Sequence, residues 1–182
     1  YNLVDALIQK GSNSLTVIAN TIGMWPGNAA LVLVENRQVK KVIASYPGSL
    51  YMTDTALEKQ YWAGEVELEM VPQGTFIERI RAGGAGLEGF YTPVGVGTTL
   101  EEGKEKRTIN GREYLLELPL TADFAFVRAH KADKVGNLVY RGSSRNFNPD
   151  MATAAKITIA EVDEVVEIGD LHPERVDTPG IF

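Results

Sequence analysis

The sequence predicts a three-layer α/β fold around an open mixed sheet, and three observations carry that expectation. Strand and helix signals alternate along the chain, the order that layered α/β domains show. Late in the chain strand-like runs follow one another with only turns between them, which adds antiparallel pairing and makes the sheet mixed. The length of 182 residues, with 44% apolar and 23% charged side chains, suits a single domain over 1–182 that buries its own core without staples.

Residues 15–19 are a β-branched apolar run after the turn at 11–13 and read as a buried strand. Asn28 is placed to cap a short helix through Val34. Residues 39–44 form the next strand, stopped by Pro47-Gly48. Thr55-Ala-Leu-Glu58 has the capping-box spacing, in which hydroxyl and carboxylate each satisfy a free backbone N–H, and Gly64 closes that helix. Residues 66–71 alternate apolar and charged, as a half-exposed strand does. Thr75-Phe-Ile-Glu78 is a second capping box, whose helix Gly83-Gly84 cut short. From 83 to 103, seven of 21 residues are Gly, interleaved with Phe90, Tyr91, Thr92, Pro93, Thr98 and Thr99. A long loop that carries large aromatics reads as a binding loop rather than a linker. Strands follow around 114–118 and 124–129, then a hairpin turn at 133–137 with Gly136-Asn137 at its tip. Asn148-Pro149 fits N-cap and N1 of a helix to about 155. Residues 156–166 are the last strand, and Pro173, Pro179 and Gly180 mark an extended tail.

Composition excludes several classes of chemistry. There is no cysteine, hence no disulfide framework, thiolate nucleophile or zinc ribbon, and the two histidines, His130 and His172, form no local metal motif. His130 on a strand edge and His172 in the tail read as surface histidines. A net charge of −6 without a basic cluster argues against nucleic acid. The longest apolar run, 29–34, is far too short to span a membrane. The acidic, cysteine-free composition points to the cytoplasm. Residue 1 is Tyr, so a native start is expected upstream.

Local motifs identify no nucleophile. Gly84-Ala-Gly86-Leu-Glu-Gly89 matches the dinucleotide spacing, but a helix precedes it where a strand should, and Pro93 biases Thr92 away from helix. Glu65, Glu67 and Glu69 share one strand face and read as its wet side; residues 101–107 are a solvated mixed-charge run. Glu117 and Asp123 sit among apolar residues, as a catalytic base or a carboxylate paired with Arg would. Gly142-Ser-Ser-Arg145 lacks the second Gly of a nucleophile elbow. Asn20 and Gln73 stand out differently. Each lies just past the carboxyl end of a strand, where open α/β sheets bind ligands, and each is followed closely by Gly (Gly23, Gly74). A neutral amide there can donate to a carboxylate or thioester oxygen, or simply cap its loop; spacing leaves both readings open.

Longer blocks narrow the choice. Val71-Pro-Gln-Gly-Thr-Phe-Ile-Glu-Arg-Ile-Arg-Ala-Gly-Gly-Ala-Gly86, Gly89-Phe-Tyr-Thr-Pro93 and Gly95-Val-Gly-Thr98 resemble the α subunit of the family I CoA-transferases, the 3-oxoacid, acetate/acetoacetate and 3-oxoadipate enzymes. Glu117-Leu-Pro-Leu, Ala122-Asp-Phe-Ala125, Gly136-Asn-Leu-Val-Tyr140, Arg145-Asn-Phe-Asn-Pro149, Ala154-Ala155 and Thr178-Pro-Gly-Ile-Phe182 continue the likeness to the last residue. Gln73 matches the family pattern directly. Asn20 matches in part, because Ala19, Thr21 and Ile22 differ. A glycine-rich segment that the family carries ahead of residues 1–7 is not in this sequence.

The resemblance implies a three-layer fold of the CoA-transferase type and CoA transfer from an acyl-CoA, such as succinyl-CoA, to a 3-oxoacid or short-chain carboxylate. Its nucleophile is a glutamate on the β subunit, which forms a glutamyl-CoA thioester and gives ping-pong kinetics; no catalytic residue is expected on this chain. The implied partner is a β subunit in an α2β2 assembly, and coenzyme A is a substrate, with no cofactor or metal. Gln73, Gly74 and Asn20 are the implied substrate contacts. The stretch with Gly84, Gly86, Phe90, Tyr91, Gly97 and Thr98 is the implied border of the site or of the subunit contact. Two rivals remain: an effector-sensing or sugar-phosphate-binding domain of the same fold class without catalysis, which needs a basic phosphate pocket, and a scaffold subunit indifferent to substitution at Asn20 and Gln73.

Overall fold

Three short aliphatic runs pair as a parallel sheet in the first part of the chain. In the computed structural model, which describes residues 2–22, 29–48 and 55–182, the chain divides into two compact units, Tyr1–Phe76 and Ile77–Phe182. The boundary falls within a helix and carries no Pro- or Gly-rich linker that the sequence could signal.

The first unit contains α1 (Asn2–Lys10), β1 (Leu15–Ile18), α2 (Ala29–Glu35), β2 (Val39–Ala44), α3 (Ala56–Trp62) and β3 (Glu67–Met70), with strand order β1-β2-β3. Both strand pairs are parallel. The buried strand is β2, not β1: Val39, Val42, Ile43 and Ala44 are buried, whereas β1 is an edge strand with Thr16 exposed and its other residues half-buried. α1 presents Val4, Leu7 and Ile8, spaced i, i+3, i+4, to a core of Ile22, Leu33, Val34, Val42 and Leu57. Thr55 caps α3 as expected, its hydroxyl accepting from the Glu58 N–H at 3.2 Å. The helix closes on Gly64 at φ 72°, with Gly64 N–H donating to the Tyr61 carbonyl and Glu65 N–H to that of Gln60. Glu69 is not a bare solvent-face residue but pairs with Lys41 on the neighbouring strand at 2.8 Å. Gly23 and the expected cap Asn28 lie outside the described residues.

α4 spans Gln73–Gly84, which corrects the expected short helix at both ends. The Phe76 N–H donates to the Pro72 carbonyl at 2.8 Å, so the helix begins at Gln73 and Thr75 lies inside its first turn instead of capping it. Its end is a Schellman turn beyond the paired glycines. Gly86, at φ 67°, donates to the Gly83 carbonyl, and Leu87 to that of Ala82. Gly83 and Gly84 are there because there is no room for a side chain. A Cβ on Gly83 would meet the Leu120 carbonyl oxygen, and one on Gly84 the Thr153 hydroxyl.

The second unit holds two further sheets. β4 (Phe90–Thr92), β5 (Lys106–Ile109) and β6 (Arg112–Glu117) form an antiparallel sheet in the order β4-β6-β5. β7 (Ala122–Asp133), β8 (Leu138–Val139) and β9 (Ala155–Val166) form a mixed one in the order β8-β7-β9, with β7 and β9 parallel and α5 (Asn148–Thr153) on the crossover between them. Ala125, Val127 and Ala129 alternate into a core with Leu138, Tyr140 and Ala152. The fold is therefore mixed α/β as expected, with the mixed character spread over three sheets among the described residues. The stretch 83–103 is not a structureless loop, since it contains the end of α4, strand β4 and a 3-10 turn at Thr99–Glu101. Half of the supposed solvated charge run is β5. It turns into β6 through Asn110 (φ 51°) and Gly111 (φ 79°), the left-handed pair that a two-residue hairpin requires. Asn148 opens α5 at its first residue rather than capping it; Phe147 holds the cap position. The Asn148 side chain instead accepts from Arg128 N–H and donates to the Ser144 carbonyl. His130 sits on β7, the middle strand of its sheet, and pairs with Asp163 at 3.3 Å. No helix of the described residues is long and apolar enough to cross a membrane.

The hairpin turn after β7 is held by one carboxylate. Asp133 accepts from the Asn137 side chain at 2.7 Å and from the backbone N–H groups of Asn137 and Val135 at 2.9 and 3.1 Å. The Asn137 amide, followed by the backbone N–H donors, holds this carboxyl below its ordinary range. A depressed folded-state value stabilises the fold above the unfolded pKa of about 3.9, and that contribution is lost as pH falls through the folded value. Asp133→Asn is accordingly expected to lower the urea midpoint at pH 6 and to approach wild type as pH falls toward 2. A difference independent of pH would refute this. Gly83→Ala is expected to cost about 2 kcal/mol by overpacking, measured by urea unfolding, although Ala is the better helix former by about 1 kcal/mol.

Candidate active site

The ends of the three parallel strands bring together the polar residues singled out from sequence, and add one. Ile18 faces Ile43 across β1 and β2, and Thr21 faces Tyr46, so Asn20 faces Ser45. Tyr46 N–H donates to the Asn20 carbonyl at 2.9 Å, which ties the two strand ends together. Gln73 enters from the third, two residues beyond the buried Val71, at the first position of α4. Gln73 Nε2 donates to Asn20 Oδ1 at 3.2 Å, and Ser45 Oγ donates to the same oxygen at 3.1 Å. The result is a neutral cluster of two amides and a hydroxyl at the carboxyl edge of a parallel sheet, where such folds bind ligands.

The surroundings add to its polarity. Gln73, Gly74 and Thr75 are the first three residues of α4, and the leading N–H groups of a helix have no intrahelical partner and favour negative charge. Gly74 is exposed, and a Cβ there would meet nothing within 4 Å. The fold itself does not demand glycine at 74, in contrast to 83 and 84. Two hydroxyl oxygens of the same unit, Thr21 Oγ1 beside Asn20 and Thr75 Oγ1 beside Gly74, are buried without a hydrogen-bond partner.

The six candidates of the second unit have local structural roles. Gly84 packs on Thr153 and Gly86 closes α4. Phe90 and Tyr91 pair with Glu117 and Leu116 of β6. The Tyr91 hydroxyl donates to Glu105, which raises its pKa, and Arg107 lies 4.8 Å over its ring. Gly97 N–H donates to Glu101 at 2.6 Å, and Thr98 caps the 3-10 turn by accepting from Leu100 N–H. With Lys106 at 3.0 Å, the Gly97 N–H draws the Glu101 carboxyl below its usual range.

The two suspect carboxylates separate. Glu117 is buried and bound to Lys104 at 2.5 Å, with Arg79 Nε 3.8 Å away; Arg79 also donates to the Leu118 carbonyl at 2.7 Å. A buried carboxylate so neutralised fastens β6 to its surroundings. Asp123 is not among apolar residues but exposed, in a surface pair with Lys156. A hollow of about 470 Å³ lined by Gly83, Asp123, Thr153 and Lys156 carries that pair. Sequence reading misses Ser45, although the rule that finds Asn20 and Gln73, a polar residue just past a strand, applies equally to Ser45 after β2.

Parallel strands ending on neutral amide donors beside a helix N-terminus make a site suited to an oxyanion-bearing substrate. The fold is that of the CoA-transferases: glutaconate coenzyme A-transferase from Acidaminococcus fermentans aligns with a TM-score of 0.85 at 20% identity, over 99% of this chain and 63% of that one. The chain belongs to the Coenzyme A transferase family, whose profile matches residues 1–182. It is similar to the α subunit of the probable succinyl-CoA:3-ketoacid coenzyme A transferase of Bacillus subtilis, 51% identical over 99% of this chain and 74% of that protein. The α subunit of the 3-oxoadipate CoA-transferase of Pseudomonas putida is also 51% identical, over 99% of this chain and 77% of its own length. These relatives lend no support to the sensor or sugar-phosphate alternative.

Removing the Glu117 carboxylate leaves Lys104 and Arg79 without their shared anion, so Glu117→Ala is expected to cost about 3 kcal/mol in urea unfolding. A midpoint unchanged from wild type would show that the pair is not structural.

Proposed function

We propose that this chain is the α-subunit half of a CoA-transferase that moves CoA from an acyl-CoA such as succinyl-CoA to a 3-oxoacid or short-chain carboxylate. The observation that carries the reading is the amide cluster at the strand ends, Gln73 hydrogen-bonded to Asn20 next to an exposed Gly74, in a chain half identical to α subunits of that kind. Gln73 and Asn20 donate to the carboxylate or thioester oxygen, and Gly74 lets the α4 backbone approach it. The nucleophile is a glutamate of the partner subunit. It attacks the thioester, carries CoA as a glutamyl-CoA thioester and passes it to the second acid, which makes the kinetics ping-pong. Coenzyme A is a substrate here and no resident cofactor takes part. Two chains of each kind make the α2β2 enzyme, and the turns that expose Leu87 and Val94 border the subunit contact. The acidic, cysteine-free composition assigns it to the cytoplasm.

The chain purified alone is expected to be inactive, and co-expression with a β subunit to restore transfer between succinyl-CoA and acetoacetate, 3-oxoadipate or acetate. Mass spectrometry of the assembled enzyme, given acyl-CoA without acceptor, should find the CoA adduct on the partner. Activity of the isolated chain, or an adduct on it, overturns the shared-site reading. Gln73→Ala in the assembled enzyme is expected to slow turnover by about a hundred-fold. Gly74→Ala should leave the unfolding midpoint at or above wild type while lowering activity. Unchanged turnover in both variants removes this edge of the sheet from the site.

A further inference from the structure

We propose that Ser45 is a positioning residue of this site: together with Gln73 it fixes the Asn20 amide so that Nδ2 faces outward as a donor to the substrate oxygen. The inference rests on the function proposed above. An asparagine amide carries an acceptor oxygen at one end and a two-hydrogen donor at the other, and a half-turn of its last torsion exchanges them. Here Oδ1 receives two donors, Ser45 Oγ at 3.1 Å and Gln73 Nε2 at 3.2 Å. Turning the Asn20 amide alone would set its NH2 against the NH2 of Gln73 and break that contact, so the pair of donors selects one orientation. In it both Asn20 N–H bonds point away from the cluster, and Gln73 Nε2 keeps its second hydrogen free of Asn20.

Ser45 reaches this position through the backbone. The Tyr46 to Asn20 hydrogen bond and the Thr21 to Tyr46 bridge extend the parallel pairing past the strands proper, and residues directly opposite in that pairing present their side chains to the same face. Ser45 is partly exposed and carries no charge, so it neither anchors the core nor competes with an anionic substrate for Asn20. Its hydroxyl is engaged as a donor, which leaves Ser45 to act through Asn20.

The test uses the assembled two-subunit enzyme. Ser45→Ala removes one of the two donors and is expected to lower kcat/KM for the acceptor acid by about ten-fold, the worth of one neutral hydrogen bond, with the thermal midpoint unchanged. Ser45→Thr keeps the hydroxyl and should restore activity to within about two-fold of wild type. Asn20→Asp retains an acceptor for both donors but replaces the outward NH2 with an anionic oxygen, and should be at least as impaired as Asn20→Ala. Three outcomes overturn the proposal: kinetics of Ser45→Ala equal to wild type, a loss in Ser45→Ala that follows its thermal midpoint and is not rescued by Thr, or an active Asn20→Asp enzyme. If the wild-type complex transfers CoA and Gln73→Ala is impaired, any of these removes the role of Ser45 and leaves the proposed function standing. A wild-type complex without transferase activity removes both.

Discussion

The register of β1 against β2 is the constraint on which the site depends. Side chains on a strand alternate between faces, so a slip of one residue would turn Asn20 away from Ser45 and dissolve the cluster. The pairing starts with Leu15 opposite Val39, then shifts so that Thr16 faces Lys41, and from there it runs regularly to Ile18 and Ile43. Carried on without that shift, the pairing would set Asn20 opposite Ala44, which has no donor. The irregularity lies at the amino end of the sheet, and its consequence appears at the carboxyl end. The buried side chains of β2, Val42 and Ala44, lock the shifted register, because neither can be turned outward without opening the core.

α4 shows how one residue type serves opposite purposes along a single helix. Gly83 and Gly84 are required by crowding, since backbone or side chain of Leu120 and Thr153 occupies the place of a Cβ. Gly74 has open space where its Cβ would be, and in the first turn of a helix glycine is a poor choice on propensity alone. A residue that costs stability where the fold does not need it directs attention to what approaches from outside. The unsatisfied hydroxyls of Thr21 and Thr75 have the same sense, for a buried polar atom without a partner is rare enough to require a reason.

Much of this is legible in the sequence, and the misses share a cause. Local signals with one physical meaning hold in the structure. Thr55 and Gly64 bound α3, Asp133 and Asn137 make a turn, and residues 39–44 and 156–166 form strands. Signals with two meanings mislead. Thr75 to Glu78 has capping-box spacing, but Pro72 supplies the cap, three residues earlier. Gly83-Gly84 suggests a helix end, but tertiary crowding demands the same residues inside one. The charged run at 105–109 conceals β5 because an exposed strand needs no apolar alternation, and only Asn110-Gly111 betrays the hairpin. Within the site, Asn20 and Gln73 can be nominated by position. Their hydrogen bond, and the presence of Ser45 beside them, depend on a register shift that no local pattern encodes.

On the proposed function, the neutrality of the cluster follows from the chemistry it serves. A CoA-transferase binds one carboxylate-bearing acid, releases it and binds another, so the site must hold each anion well enough to orient it and weakly enough to let it go. A guanidinium would pair bidentately and strongly with every carboxylate presented, including a nucleophilic glutamate whose attack requires its negative charge to remain available. Amide and hydroxyl donors stabilise oxygen charge where it develops without drawing down that nucleophile, and their strength does not vary with pH because none of them titrates. Such donors are effective only when their direction is fixed in advance, since a freely turning amide offers an acceptor as readily as a donor. Orientation rather than charge is thus what the strand ends provide, and the two hydrogen bonds that converge on Asn20 Oδ1 are the means by which the fold provides it.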